Sequence, residues 1–443
     1  MRRILIACTR FQDYLLPSSV RCINLQPKSA RFFAMPSSDI KARNGRTSFR
    51  SKHTEYRNNA DKVLSVFVDS NAPEFEDQVR EAASAVCTFL NPSFEMAEQE
   101  TDSKERKYNP LIVKTLSGGT SNELFIVSRT TSSAPPSSSS SVLVRIHPNN
   151  DDEGVVDRDV ENQLAAWLSE QGIGPTYYGR FKNGRVEEFY QNVAPLTSHE
   201  MPNYAPQIAR AMADFHCLEA PSTILPKPPT ANHYAMIENW LDQAKNMSIP
   251  SRPVEASLLQ ELHSEWKWLK PQLDATPSAD SPIESQALLF IRQLVLTHMD
   301  CQSLNILKDA SGSIRLIDFE YAGWNPRAAD IANTFCEYCD MNNISADYEK
   351  EYPSDEAQND YLKNYVLQSS PDLAQQLSAL QQWESFLAPI RSEIGRFSLL
   401  SHLGWSIWCI VKAKEESAID FDYLAYARHR MDGYYLSKKK YFC

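Results

Sequence analysis

Apolar residues recur along this chain at two spacings, and the change from one to the other divides it. Up to about residue 192, short apolar runs over Val63–Val68, Ile112–Leu116, Leu124–Ser128, Val142–Ile146 and Val186–Tyr190 predict strands. Two helices are predicted among them, over Glu74–Leu90 and Asp157–Gln171, the second with Val160, Leu164, Trp167 and Leu168 on one face. From about residue 198 the three-to-four-residue period takes over. It predicts helices over Ala205–Leu218, His233–Asn246, Glu255–Leu273, Asp360–Leu367, Leu373–Leu387 and Glu393–Lys414. The pattern is that of an α+β chain, with a small mixed β-sheet lobe followed by a larger, mainly helical one, joined near Val193-Ala194-Pro195.

Two segments fall outside this pattern. Thr130 to Pro136 and the five serines after it have nothing to bury, so residues 130–141 read as a disordered insertion at a hairpin tip, where loop growth costs little. Residues 1–60 hold twelve Lys/Arg against three Asp/Glu, a balance of +9, which leaves −20 for the other 383 residues of a chain whose net charge is −11. This basic leader, rich in Arg and Ser, reads either as an organelle transit peptide or as a disordered terminus. The expected organisation is therefore a leader over 1–60, a first lobe over 61–192 and a second over 193–443.

The acidic balance argues against general nucleic-acid binding. Leu399–Val411, the longest apolar run, is too short for a bilayer, so no transmembrane segment is expected. Nine scattered cysteines suggest no disulfide framework. Cys336 and Cys339 have CxxC spacing, but with no second pair they read as helix packing. The expected compartment is cytoplasmic, or a plastid or mitochondrion if the leader is a transit peptide.

Candidate chemistry concentrates in His298-Met299-Asp300-Cys301-Gln302-Ser303-Leu304-Asn305 and, after a turn at Ser311-Gly312-Ser313, in Ile314-Arg315-Leu316-Ile317-Asp318-Phe319-Glu320. A carboxylate, an amide and a second carboxylate at these spacings suit a catalytic loop beside a metal-binding hairpin. Phosphoryl transfer needs a group to orient the attacking hydroxyl, and oxygen ligands to hold Mg²⁺ against the donor phosphates. Asp300 fits the first role, Asn305 and Asp318 the second. His298 reads as a brace for the loop, Asp330 as a helix cap or a tie on the same loop, and His216 as a core residue.

The run Ile317-Asp318-Phe319-Glu320-Tyr321-Ala322-Gly323-Trp324-Asn325-Pro326, continuing to Ala329-Asp330-Ile331-Ala332-Asn333, resembles the choline/ethanolamine kinase family. It departs at Met299 and Thr334, where relatives more often carry Asn and His. The likeness spans roughly residues 62–440. It implies a two-lobed protein-kinase-like fold, ATP and Mg²⁺ as cofactors, a small aminoalcohol as acceptor, and the homodimer that relatives often form.

The same resemblance implies roles for residues that are ambiguous alone. Gly118-Gly119-Thr120-Ser121-Asn122, between two strands, is a plain turn or a loop whose backbone N–H groups reach ATP phosphates. Arg145, central in an apolar strand, stands where protein kinases use a strand Lys, and Glu161 where a helix acid pairs with it. Glu188 and Phe189, in Glu187-Glu188-Phe189-Tyr190, would present backbone groups to adenine.

On the acceptor side, Trp405 and Trp408 share a helix face, and Tyr423 and Tyr426 repeat the spacing. Such stripes are commonly core, but an aminoalcohol cation can rest on aromatic faces. The family places Trp405, Trp408 and Tyr426 around the ammonium, with Glu320 and Glu337 adding negative potential or binding backbone or Arg. Cys339-Asp340-Met341-Asn342-Asn343 stands where choline-preferring relatives tend to add an aromatic, which favours ethanolamine over choline. A kinase of another small alcohol, and a kinase-shaped binding protein, are the competing readings.

Overall fold

The computed structural model describes residues 59–90, 111–116, 122–129, 141–147, 157–228, 230–245, 256–339, 346–413 and 421–442. Residues 1–58 of the basic leader, residues 130–140 of the Ser/Pro insertion, Gly118 to Ser121 and Asp340 to Asn343 lie outside them. The described residues form two compact units, one between Asn59 and Gln191, the other chiefly from Asn192 onward.

The first unit is a six-stranded sheet in the order β1-β5-β6-β4-β3-β2, formed by β1 (Val63–Leu64), β2 (Leu111–Leu116), β3 (Glu123–Arg129), β4 (Ser141–Ile146), β5 (Tyr177–Phe181) and β6 (Gly184–Glu188). Only β1 pairs in parallel, with β5; the rest is antiparallel. The strand expected over Val63–Val68 shrinks to two residues. Beyond Leu64, Val68 instead exchanges hydrogen bonds with the Asn183 side-chain amide, which ends the ladder.

Alternation along β3 and β4 sends Phe125, Val127, Val142, Val144 and Ile146 to one face. There they bury Val79, Ala82 and Ala83 of helix α1 (Phe75–Val86). The period-2 switch leaves Arg145 on the opposite face. Helix α2 (Arg158–Gln171) contributes Glu161 and Leu164 to the interior. Gly184 pairs with Ile146, and a Cβ there would run into the carbonyl oxygen of Arg145.

The second unit is mainly helical: α3 (Ala205–His216), α4 (Asn232–Lys245), α5 (Ala256–Asp274), α6 (Pro282–Arg292), α7 (Arg327–Cys336), the single turn α8 (Tyr348–Glu351), α9 (Asp355–Ser369), α10 (Pro371–Ala379), α11 (Trp383–Lys412) and α12 (Tyr423–Phe442). Helix α6 follows a Ser281 cap and Pro282 at its first position. The single helix expected over Leu373–Leu387 is broken at Gln381, whose φ of 53° no helix accommodates.

Conversely, α11 runs unbroken for 30 residues through Pro389. By length and mean hydropathy it matches a membrane span, which the run Leu399–Val411 alone does not; 94% of its most apolar window is buried inside the unit, as in a core helix.

Two small sheets stand among these helices. One is β7 (Val193–Pro195), β9 (Ile306–Asp309) and β10 (Ile314–Leu316) in the order β10-β9-β7; the other pairs β8 (Leu294–Thr297) with β11 (Gly323–Pro326). Val193-Ala194-Pro195 is thus a paired strand of this unit, not bare connection.

Candidate active site

The loop between β8 and β9 and the return from β10 to β11 meet over a clamped base. Thr297 lies opposite Gly323, its hydroxyl donates to the Gly323 carbonyl at 2.7 Å, and it accepts from the Asn325 amide at 2.8 Å. Chain enters at His298 and leaves before Gly323. Within that span Met299 and Asp318 both take left-handed backbone angles, φ 64° and 66°, which cost L-residues about 1–3 kcal/mol and persist only where the surroundings enforce them.

The surroundings do enforce it. Asp330, buried in the first turn of α7, accepts the backbone N–H of His298 at 2.6 Å and that of Met299 at 2.8 Å. It ties the loop from inside the helix; Pro326 occupies the cap position. The His298 ring donates from Nε2 to the Ile317 carbonyl at 2.9 Å, which leaves Nδ1 to accept the Asp300 N–H at 3.3 Å. Ile317 N–H donates in turn to the Asn305 carbonyl at 3.0 Å. His298 therefore stitches the loop to the residue just before Asp318, and its ring packs in mutual contact with those of Phe319 and Phe215.

These bonds bring three predicted residues together. A short 3-10 turn over Ser303–Asn305 directs the Asn305 amide nitrogen to the Asp300 carboxylate at 2.7 Å and to the Asp300 carbonyl at 2.9 Å. Burial raises the pKa of Asp300 well above the usual carboxylate range, and the charges of Glu337, Asp318 and Glu320 raise it further. Four carboxylates thus share one electrostatic environment. A hard divalent cation fits it: with its nitrogen committed to Asp300, Asn305 offers an amide oxygen, Asp318 offers a carboxylate, and Mg²⁺ commonly takes one or two such ligands, completing its shell with water and phosphate oxygens.

The aromatic residues expected around the acceptor form a chain of ring contacts. Trp405 and Trp408 meet edge-on at 5.4 Å, Trp408 and Tyr423 at 6.0 Å, and Tyr426 reaches Tyr423 through Phe421. Both indoles are anchored, Trp405 on the Asn333 side-chain oxygen and Trp408 on the Tyr321 hydroxyl, each at 2.8 Å. The patterning missed Tyr321, 5.3 Å from Trp405, and Trp240 of α4 at 6.4 Å. Glu337 both adds its charge to the surroundings of Asp300 and binds an Arg: Arg430 of α12 meets it at 2.8 Å, donates to the Tyr426 hydroxyl at 3.3 Å and reaches Ser401. All of Arg430 but 1% is buried, and no helical period marks such a residue.

In the first unit Arg145, whose charge helps to hold Glu161 low, belongs to a wider ladder of buried charges. Arg145 and Arg185 are cross-strand partners on β4 and β6, so two like charges face each other. Glu187, two residues from Arg185 and on the same face, takes Arg185 at 2.7 Å and Arg145 at 3.4 Å; Glu161 takes Arg185 at 2.5 Å and Arg158 at 2.8 Å. Burial alone would raise both acids, but the arginines outweigh it and hold them low, Arg185 foremost for each. An alternating polar strand looks solvated in sequence, which hid Arg185.

Asn122, the one described residue of the Gly118–Asn122 motif, accepts from the His147 ring at 2.8 Å. Glu188 is still in the ladder, its N–H on the Thr176 carbonyl at 2.8 Å and its carboxylate on the Thr176 hydroxyl at 2.7 Å, so the backbone groups beyond the strand begin at Phe189.

Comparison with known proteins agrees with these motifs. Residues 113–435 match the choline/ethanolamine kinase family. A probable choline kinase 2 of Arabidopsis thaliana is 30% identical over 82% of this chain and 92% of its own, and ethanolamine kinase 2 of Homo sapiens is 32% identical over 67% and 69%. The crystal structure of choline kinase from Cryptosporidium parvum Iowa II covers 74% of this chain and 89% of its own, with TM-score 0.60 and 26% identity. Sheet unit, helical unit and the His298–Glu320 loop and hairpin are those of a protein-kinase-like fold, and the chain belongs to the choline/ethanolamine kinase family.

Proposed function

We propose that this protein transfers the γ-phosphoryl group of ATP to the hydroxyl of ethanolamine, with choline as second acceptor. The observation that carries the reading is the bonded Asp300–Asn305 pair in a shared carboxylate environment with Asp318. Asp300 orients the acceptor hydroxyl and takes its proton as that oxygen bonds to the γ-phosphorus and the bridging oxygen departs with ADP. Asn305 and Asp318 would hold Mg²⁺, whose charge offsets that of the phosphates. Arg145, the glycine-rich turn at Gly118 to Asn122 and the backbone at Phe189 are assigned to the nucleotide.

On the acceptor side, the rings of Trp405, Trp408, Tyr423 and Tyr426 support a cationic substrate. Primary ammonium donates three hydrogen bonds and a quaternary one none, so the carboxylate of Glu320 beside Asp318 favours ethanolamine. The continuous ring cluster is what favours choline as the second. A steady-state comparison of ethanolamine, choline and an aminoglycoside with Mg-ATP tests this. Expected is the highest kcat/KM with ethanolamine; turnover of the aminoglycoside alone would refute the acceptor class.

A further inference from the structure

Asp330 has a third donor besides the two loop amides. His216, at the end of α3, presents Nε2 to its carboxylate at 2.8 Å. An ionised carboxylate only accepts, so Nε2 carries a proton, and a neutral ring then leaves Nδ1 as an acceptor. Tyr365 of α9 fills that role, its hydroxyl 2.6 Å away. The Tyr365 oxygen accepts from Arg327 Nε at 3.1 Å, and Arg327 Nη1 donates to the Phe290 carbonyl at 2.8 Å and the Gln293 side chain at 2.6 Å.

Every donor in this line points one way, from Arg327 through Tyr365 and His216 to Asp330. All four side chains are buried: His216 is 3% exposed, Tyr365 and Asp330 not at all, and Arg327 7%. Burial lowers the pKa of His216, in keeping with a neutral ring.

We infer that His216 is a positioning residue for phosphoryl transfer: through Asp330 it holds Met299 in its left-handed conformation and so sets where Asp300 stands. With three donors the Asp330 carboxylate has one orientation. With two it can turn, and the N–H bonds that enforce φ 64° at Met299 loosen immediately before Asp300. Gln293 and Phe290 anchor the far end of the line at the close of α6, 34 and 37 residues before Arg327 in sequence, a connection with no helical or strand period to announce it.

This inference rests on the proposed kinase reaction, and the test separates the two. The full chain, its His216→Ala and Tyr365→Phe variants, and Met299→Asn with and without His216→Ala are assayed for kcat, for KM of ATP and ethanolamine, and for thermal melting. His216→Ala is expected to lower kcat about tenfold to a hundredfold, the loss of one charge-assisted hydrogen bond, with both KM values within about twofold. Tyr365→Phe, which keeps the ring and removes only the hydroxyl, is expected to lower kcat in the same sense by about three- to tenfold and stands as the test if His216→Ala does not fold.

Asn adopts the left-handed region readily, so in the Met299→Asn background the His216→Ala loss is expected to shrink to about half or less in logarithmic units. Unchanged kcat, a rise in KM at constant kcat, a loss that merely tracks the folded fraction, or equal losses in both backgrounds overturns the inference. A wild-type chain that phosphorylates neither ethanolamine nor choline overturns the reaction itself and takes the inference with it.

Discussion

The Asn305 amide grips Asp300 twice, at the carboxylate and at the backbone carbonyl five residues back. Such a double bond fixes both the rotamer and the loop, so Asp300 pays no reorganisation when the acceptor arrives. Asp300→Asn keeps the shape and removes the proton acceptor. Its kcat is expected to fall by about 10²–10⁴ with ATP affinity unchanged. A variant within about tenfold of wild type would remove Asp300 from the chemistry.

Asp318 combines a charge with a left-handed backbone, and two substitutions separate these. Asp318→Asn tolerates φ 66° and loses only the charge, whereas Asp318→Ala adds strain. Both are expected to abolish most turnover at ordinary Mg²⁺. Titrating Mg²⁺ should partly restore Asp318→Asn, with a raised midpoint, and leave Asp318→Ala inactive. Unaltered Mg²⁺ midpoints in both would dismiss the metal assignment.

Arg430 and Glu337 are a fully buried ion pair, 1% and 4% exposed at the side chain. Removing one partner of such a pair leaves a stranded charge, so Arg430→Met is expected to cost about 3–5 kcal/mol in urea unfolding. Adding Glu337→Gln removes the stranded charge and should recover at least about half of that loss. If the double variant is no more stable than Arg430→Met, Glu337 is satisfied by other groups and the pair is incidental.

How much of this could be read beforehand follows from what periodicity encodes. The β3 and β4 strands and the helices around Ala205 and His233 were legible because each buries one face and shows it at its own period. Asp300, Asn305 and Asp318 were legible because their spacing is local, within one loop and hairpin. The His216–Asp330 bond spans 114 residues and the Arg430–Glu337 pair 93. A buried polar partner has no periodic signature: His216 reads as core, and the Arg that meets Glu337 is not marked at all until the fold pairs them. Strand β5 was missed for a related reason: Tyr177-Tyr178-Gly179-Arg180-Phe181 carries a glycine and an arginine, yet the Arg180 guanidinium reaches Asp159 and the residues on either side are buried.

His233 offers a pH signature of the fold. It is 2% exposed, neither ring nitrogen has a hydrogen-bond partner among the described residues, and a Cβ on Gly404 would lie 2.9 Å from its Nε2. Burial lowers its pKa to about 4, against about 6.5 in an unfolded chain. Above pH 6.5 the ring is neutral in both states. Between about 6.5 and 4 the unfolded chain binds a proton that the folded chain does not, so stability falls with pH; below about 4 both are protonated and the loss stops. The window spans about 2.5 pH units, or about 3 kcal/mol. His233→Leu lacks this loss. Urea unfolding of both proteins from pH 7 to 4.5 should therefore show the wild type losing about 2–3 kcal/mol relative to the variant. A difference constant across that range would mean that His233 is already solvated, or protonated, in the folded protein.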